Sequence, residues 1–209
     1  VRMFLIGKRE KRKPMRVEET PSFYESQCRP RALADFILCH SDIRWALQEL
    51  PNIPKRQTEL ADILEDLPAN SAYWWSKDRA EYLLNQMSER HRKIADEMTA
   101  GKTTSYGTVF RRVRHGRSMA ELRTDTIAGC LRTPRGGSGR QILFAAGKGR
   151  YAARLLTPRE CARLMGADDF KITVPLNQAL FGFGDAVCVP VIRWIAENYL
   201  TPAWEQLHA

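Results

Sequence analysis

An α+β fold is what the sequence predicts, and three observations predict it. Apolar residues recur near the helical period in residues 57–67 and 76–98. Residues 157–166 hold a helix start and stop in the right order: Thr157, Pro158, Glu160, then Gly166. Two short apolar runs, residues 1–7 (VRMFLIG) and 142–145 (ILFA), have the length and composition of buried strands.

Taken in order, the first run predicts a strand with no element before it. A lone strand needs neighbours for its backbone hydrogen bonds, so it is expected to belong to a larger sheet. Residues 8–16 (KREKRKPMR) follow as a charged loop, either a phosphate contact or a bare solvated turn. Residues 30–50 carry apolar positions at mixed spacing and predict one or two short helices, with Ser41 and Asp42 as a break or cap. Residues 57–67 predict a helix ended by Pro68. Residues 76–98 predict one long helix, capped by Ser76 and stopped by Gly101, with Tyr82, Leu83, Met87, Ile94 and Met98 repeating near its period. Trp74 and Trp75 precede it, as base-stacking platforms or as an anchor against that helix. Residues 142–145 predict a strand, 147–150 (GKGR) a turn, and 157–165 a helix. Residues 186–200 predict a helix with Pro190 near its start. It has too few polar positions to lie alone on a surface, so it is expected to be sandwiched.

With 209 residues, 44% of them hydrophobic, the chain affords one domain or two small ones sharing a core. That composition argues against wholesale disorder. No run of about 18 apolar residues predicts a membrane span, and no export pattern is evident. The five cysteines form no C-x-x-C pair and are odd in number, as reduced cytoplasmic thiols are. The four histidines make no metal-ligand pattern. Net charge is +9, which suits a polyanionic partner. The charge is clustered: residues 102–159 hold thirteen Lys or Arg against two acids, Glu121 and Asp125. Within them, residues 131–141 (LRTPRGGSGRQ) interleave Arg132, Arg135 and Arg140 with Gly136, Gly137 and Gly139. Such a loop can enter a DNA groove and present guanidinium forks to guanine edges or phosphates. A flexible surface hairpin is the alternative.

Three segments, in this order, resemble the last conserved blocks of the DNA cytosine-5 methyltransferases. Residues 2–7 (RMFLIG) are similar to the end of a block that closes on a hydrophobic strand. Residues 154–166 (RLLTPRECARLMG) match the R-x-L-T-x-R-E-x-x-R-L-x-G block at nearly every defining position. Residues 184–190 (GDAVCVP) resemble the G-N-A-V block, with Asp185 in place of the usual Asn. Thr126 and Ile127 are similar to a Thr and small apolar residue near the end of the family's recognition region.

The resemblance implies a helix-rich target-recognition domain with two remnants, the first strand and the last helix, of an α/β S-adenosylmethionine-dependent methyltransferase sheet. The segments would be residues 1–8 (end of the catalytic sheet), 9–153 (target recognition), 154–183 (scaffold helix and linker) and 184–209 (helix returning to the cofactor domain). The family flips cytosine out of the duplex, adds a cysteine thiolate to C6, and moves a methyl group from S-adenosylmethionine to C5. By resemblance Arg2 would touch the cytosine. Asp185, Ala186 and Val187 would close the methionine end of the cofactor. Thr126, Arg132, Arg135, Gly136, Gly137 and Arg140 would meet double-stranded DNA, and Arg154, Arg159, Glu160 and Arg163 would form the scaffold. These residues include no P-C-Q and no E-N-V segment. Cys130 and Cys161 lie in other contexts, and Phe181–Gly184 (FGFG) follows no proper strand. The expectation is therefore a C-terminal piece of a cytoplasmic restriction-modification methyltransferase, silent alone and partnered by an N-terminal half that carries the nucleophile. The alternative is a non-catalytic basic DNA-binding module of a restriction or regulatory complex.

Overall fold

Two dipeptides set the sheet. His115-Gly116 (φ 50° and 73°) and Lys148-Gly149 (φ 55° and 73°) both take left-handed backbone. That is the type I′ geometry whose twist suits a two-residue hairpin. The first joins β1 (Ser105–Arg114) to β2 (Arg117–Arg123), and the second joins β3 (Ile142–Gly147) to β4 (Arg150–Leu155). β1 also pairs with β3, so the sheet is antiparallel throughout, in the order β2-β1-β3-β4. The computed structural model describes residues 4–7, 21–45, 47, 51–133 and 139–208, and the fold among them is α+β.

The described chain forms two units, residues 57–193 and the described parts of 1–56 and 194–209. In the first, the alternation of strand side chains divides the sheet's two faces. Val109, Ala120, Leu122, Ile142, Phe144, Ala146 and Ala153 pack beneath α3 (Lys77–Asn85) and α4 (Glu89–Ala100). Leu143, with Leu156, belongs to a second core with α5 (Pro158–Leu164) and α6 (Leu176–Asp185), through Cys161, Ala162, Met165, Ala179, Leu180 and Phe183. In the second unit, α1 (Pro21–Glu25) and α2 (Arg31–Cys39) bury Phe23, Ala34 and Ile37. α2 ends where Trp45 Nε1 donates to the His40 carbonyl at 2.8 Å, and Ser41 and Asp42 sit in the turn that follows.

Four expectations are corrected. Residues 57–67 form only a 3₁₀ turn, Ala61–Ile63. Their backbone bonds elsewhere: the Leu60 N–H donates to the Thr126 carbonyl and the Glu65 N–H to the Glu160 carboxylate, both at 2.9 Å. The single helix over 76–98 is two helices. Ser76 caps α3 as predicted. The chain then breaks at Met87, which bridges Ala120 while the Ala120 N–H bonds the Gln86 carbonyl at 2.9 Å, and Ser88 caps α4. Phe4–Gly7 take no strand conformation, and Phe4, Leu5 and Ile6 are exposed. A strand forms only against a neighbour that takes up its backbone hydrogen bonds. The apolar helix of residues 186–200 is α7 (Val189–Ile195) followed by a π-helical segment (Ala196–Leu200) and α8 (Thr201–His208). It is not sandwiched: no residue of α7 is buried. Its apolar residues run around the helix, so seating Pro190 against Gly166 still leaves Val189, Val191 and Ile192 in solvent.

The stretch Leu176–Gln206 holds an 18-residue window of mean hydropathy 1.5, apolar enough by length and composition to cross a membrane. Within it, α6 turns Ala179, Leu180 and Phe183 into the core.

The left-handed turn at Gly149 gives a stability test. Gly149→Val forces a β-branched residue into that conformation and is expected to lower unfolding free energy by about 1–3 kcal/mol, with Gly149→Asn costing less. Urea denaturation of the two variants beside the wild-type chain measures this.

Candidate functional site

α5 begins as its sequence dictates. The Thr157 hydroxyl accepts the Glu160 N–H at 3.1 Å, and the Glu160 carboxylate accepts the Thr157 N–H at 2.8 Å. That reciprocal pair is a capping box. The same carboxylate also receives both ends of the Arg154 guanidinium fork, at 2.5 and 2.7 Å, and the Glu65 N–H. Arg154 and Glu160 are 1% and 0% exposed. Desolvating an ion pair is costly, and further hydrogen bonds to the pair offset part of that cost, although Arg154 Nε is buried without a partner. Here four N–H groups converge on one carboxylate, and Arg154 adds a bond to the Leu155 carbonyl at 3.1 Å and a cation–π contact 5.0 Å above Trp74.

Two further arginines of α5 serve the surroundings. Arg163 donates to the Ile63 and Leu64 carbonyls at 3.0 and 3.2 Å, and Arg159 donates to the Asp168 carbonyl. The structure thus brings Arg154, Glu160 and Arg163 together on residues 63–65 and turns Arg159 to the loop after α5. Arg154 itself lies within β4. The tryptophans are held by arginines rather than presented free, Trp75 lying 4.1 Å beneath Arg79.

The arginine-glycine loop is described at its two ends. Arg135, Gly136 and Gly137 lie outside the described residues, as does Arg2. Both ends rest on α6. The Thr133 hydroxyl donates to the Asp185 carboxylate. Gly184 lies so close that an added Cβ would stand 2.4 Å from the Thr133 nitrogen and 2.6 Å from the Arg132 oxygen. At the far end, Arg140 donates to Asn177 Oδ1 at 2.9 Å, and Gln141 to the Cys130 carbonyl at 3.2 Å. Arg132 is exposed. The Phe181–Gly184 run is part of α6.

Asp185 therefore meets the loop. Ala186 spends its N–H on the Gly182 carbonyl, and Val187 is exposed. These three residues do not fit a cofactor cradle by themselves: the carboxylate and one amide are engaged within the chain, and one exposed side chain remains to offer a wall. Thr126 precedes Ile127, whose carbonyl accepts the Thr108 hydroxyl at 3.4 Å. Thr126 takes left-handed backbone (φ 59°) and lines a cleft of about 280 Å³ with Glu59, Leu60, Ser105 and Tyr106.

Sequence reasoning missed the β1–β2 hairpin. Arg112 and Arg114 both reach Glu121, at 2.9 and 3.3 Å. Arg123 pairs with Asp125 at 2.6 Å, and that hydrogen bond holds the Asp125 carboxyl below the usual range. The signal that marks it is His115-Gly116 between two β-rich runs. Burial, with the Glu160 charge beside it, pushes the Cys161 thiol up to about 12.

Residues 1–201 match the family described as C-5 cytosine-specific DNA methylase. A stretch of 46 residues, 22% of this chain, is 56% identical to the type II methyltransferase M.NlaX of Neisseria lactamica and covers 15% of that protein. A stretch of 49 residues, 23% of this chain, is 53% identical to the type II methyltransferase M.DsaV of Dactylococcopsis salina and covers 14% of it. The matched segments span about a seventh of each relative's length.

Removing one charge of the buried pair has a definite expected cost. Glu160→Gln leaves Arg154 charged and uncompensated in the core, and should lower unfolding free energy by about 3–5 kcal/mol. A urea midpoint equal to wild type would show that the pair is not the constraint argued here.

Proposed function

Starting from the fact that the chain belongs to the C-5 cytosine-specific DNA methylase family, we propose that these residues form the DNA-reading part of a restriction-modification methyltransferase and close one side of its cofactor site. Enzymes of this family use S-adenosylmethionine, which supplies the methyl group for C5 of a flipped cytosine. In this reading the arginine-glycine loop enters the duplex. Arg132, Arg135 and Arg140 offer guanidinium forks to guanine edges or phosphates, while Gly136 and Gly137 let the backbone approach. Thr126 contacts the backbone of the DNA. Arg154, Arg159, Glu160 and Arg163 hold the platform from which the loop projects.

The observation that carries this reading is the anchoring of both loop ends on α6, Thr133 on Asp185 and Arg140 on Asn177. A loop that reads DNA must be held at its base, because a contact made by an unrestrained loop first has to order it. Asp185 is then a positioning residue that links the loop to the turn Ala186–Val187. Those two residues meet the cofactor only when a second surface completes the cradle. Arg2 is assigned to the cytosine. The nucleophile is assigned to sequence outside these residues, on an N-terminal half. The exposed apolar side chains of Phe4, Leu5, Ile6, Val189, Val191 and Ile192 support a missing covering surface. The site of action would be cytoplasmic.

Methyl transfer from labelled S-adenosylmethionine to duplex DNA tests this with the chain alone, an N-terminal methyltransferase half alone, and the two mixed. Activity is expected only in the mixture, and transfer by the chain alone would overturn the assignment. Binding without transfer in every mixture would favour the non-catalytic module. Asp185→Ala is expected to weaken duplex binding several-fold even without cofactor, because the loop loses its anchor. A residue serving the cofactor only would leave that binding unchanged in fluorescence anisotropy.

A further inference from the structure

The β1–β2 hairpin runs past the rest of the sheet. β3 pairs with β1 only from Ser105 to Val109, whereas β2 pairs with it out to Arg114. Phe110–Arg114 and their partners from Arg117 to Glu121 therefore make a two-stranded ribbon, about 17 Å long at about 3.4 Å per residue. Its root is fixed by the Ala120 N–H on the Gln86 carbonyl, and near its tip Val113 is 67% exposed.

The ribbon carries Arg111, Arg112, Arg114 and Arg117 against one carboxylate, Glu121. Side-chain alternation puts Arg112, Arg114, Arg117 and Glu121 on one face. Arg112 and Arg114 share Glu121, so that face keeps a net positive charge. Arg114 stands directly across from Arg117 in the pair that closes the turn. Like charges in that position oppose folding, so the hairpin gains nothing for itself from them. On the other face Arg111 lies near enough to Arg79 to add to the burial that lowers its pKa. The tip also projects from the end of the sheet where Gly139–Gln141 lead into β3, because Val109 pairs with Ile142. The Lys148-Gly149 turn is at the opposite end, because Ser105 pairs with Ala146.

We propose that this ribbon is a phosphate-gripping arm on duplex DNA, distinct from the 131–141 loop, with Glu121 holding its arginines in place until phosphates replace it. The inference rests on the DNA-reading assignment above. A guanidinium fork matches phosphate oxygens in pairs. A two-stranded ribbon fits a major groove about 12 Å wide, whose walls are lined with phosphates. Exchange of Glu121 for phosphate conserves every charge-assisted bond and releases counterions from the duplex.

The test is anisotropy of a fluorescein-labelled DNA duplex titrated with the 209-residue chain as NaCl is raised. Arg114→Ala combined with Arg117→Ala should flatten the logarithmic salt slope by up to about 1.8, at about 0.9 for each phosphate no longer neutralised, and weaken binding several-fold. Glu121→Gln should tighten binding several-fold, which a folding defect could not do. Lys148→Ala combined with Arg150→Ala removes equal charge from the opposite end and should leave the slope unchanged. The arm is overturned if the double arginine variant keeps the wild-type slope, if it loses affinity with no change of slope, if Glu121→Gln fails to tighten binding, or if the control pair flattens the slope equally. A wild-type chain that shows no salt-sensitive binding overturns the DNA-reading assignment itself, and the arm with it.

Discussion

Inside residues 57–193 a guanidinium and a carboxylate meet where neither reaches water, and the surrounding elements take their places from that meeting. Arg154 arrives from β4 and Glu160 from the first turn of α5. The cost of desolvating both charges is offset in part because four N–H groups point at one carboxylate. One of those groups is the Glu65 backbone, which is why the segment before it cannot complete a helix. A single charge pair thus joins a strand, a helix start and a stretch of irregular chain, and Arg163 ties the same stretch a second time.

That junction has consequences farther along the chain. With α5 fixed against β4, Gly166 ends it and receives Pro190, while α6 packs Leu180 and Phe183 into the same core as Leu156 and Met165. α6 in turn offers Gly184, Asp185 and Asn177 to the two ends of the arginine-glycine loop. A side chain at position 184 would be excluded, since the loop backbone occupies the space a Cβ would need. The described ends of the loop are therefore held by packing and by two polar contacts.

The arginines divide by environment. Arg154 is a core residue, Arg163 a clamp on backbone carbonyls, and Arg112 and Arg114 share one acid on a protruding ribbon. Of these three environments, only the ribbon holds more guanidinium charge than the acid beside it offsets. The excess of basic residues between 102 and 159 therefore overstates the free surface charge, because Arg154 and Arg159 are engaged in holding the fold.

Local chemistry was legible in the sequence. The α+β class, the capping box at Thr157, the Lys148-Gly149 turn, the strand at Ile142, the cap at Ser76 and the family itself all follow from residues adjacent in the chain, whose geometry is fixed within a turn or two. Tertiary structure decided what depends on distant partners. Residues 57–67 have helical spacing yet give their N–H groups to Thr126 and Glu160. The helix over 76–98 breaks because Met87 and Gln86 engage β2. The β1–β2 hairpin hides behind arginines on both faces, where no apolar alternation marks it. Asp185 meets Thr133 across 52 positions of sequence. Hydrogen bonds and packing between segments so far apart have no periodicity to reveal them, so the chain announces its turns, caps and family, and only the folded protein decides which of its charges stand free.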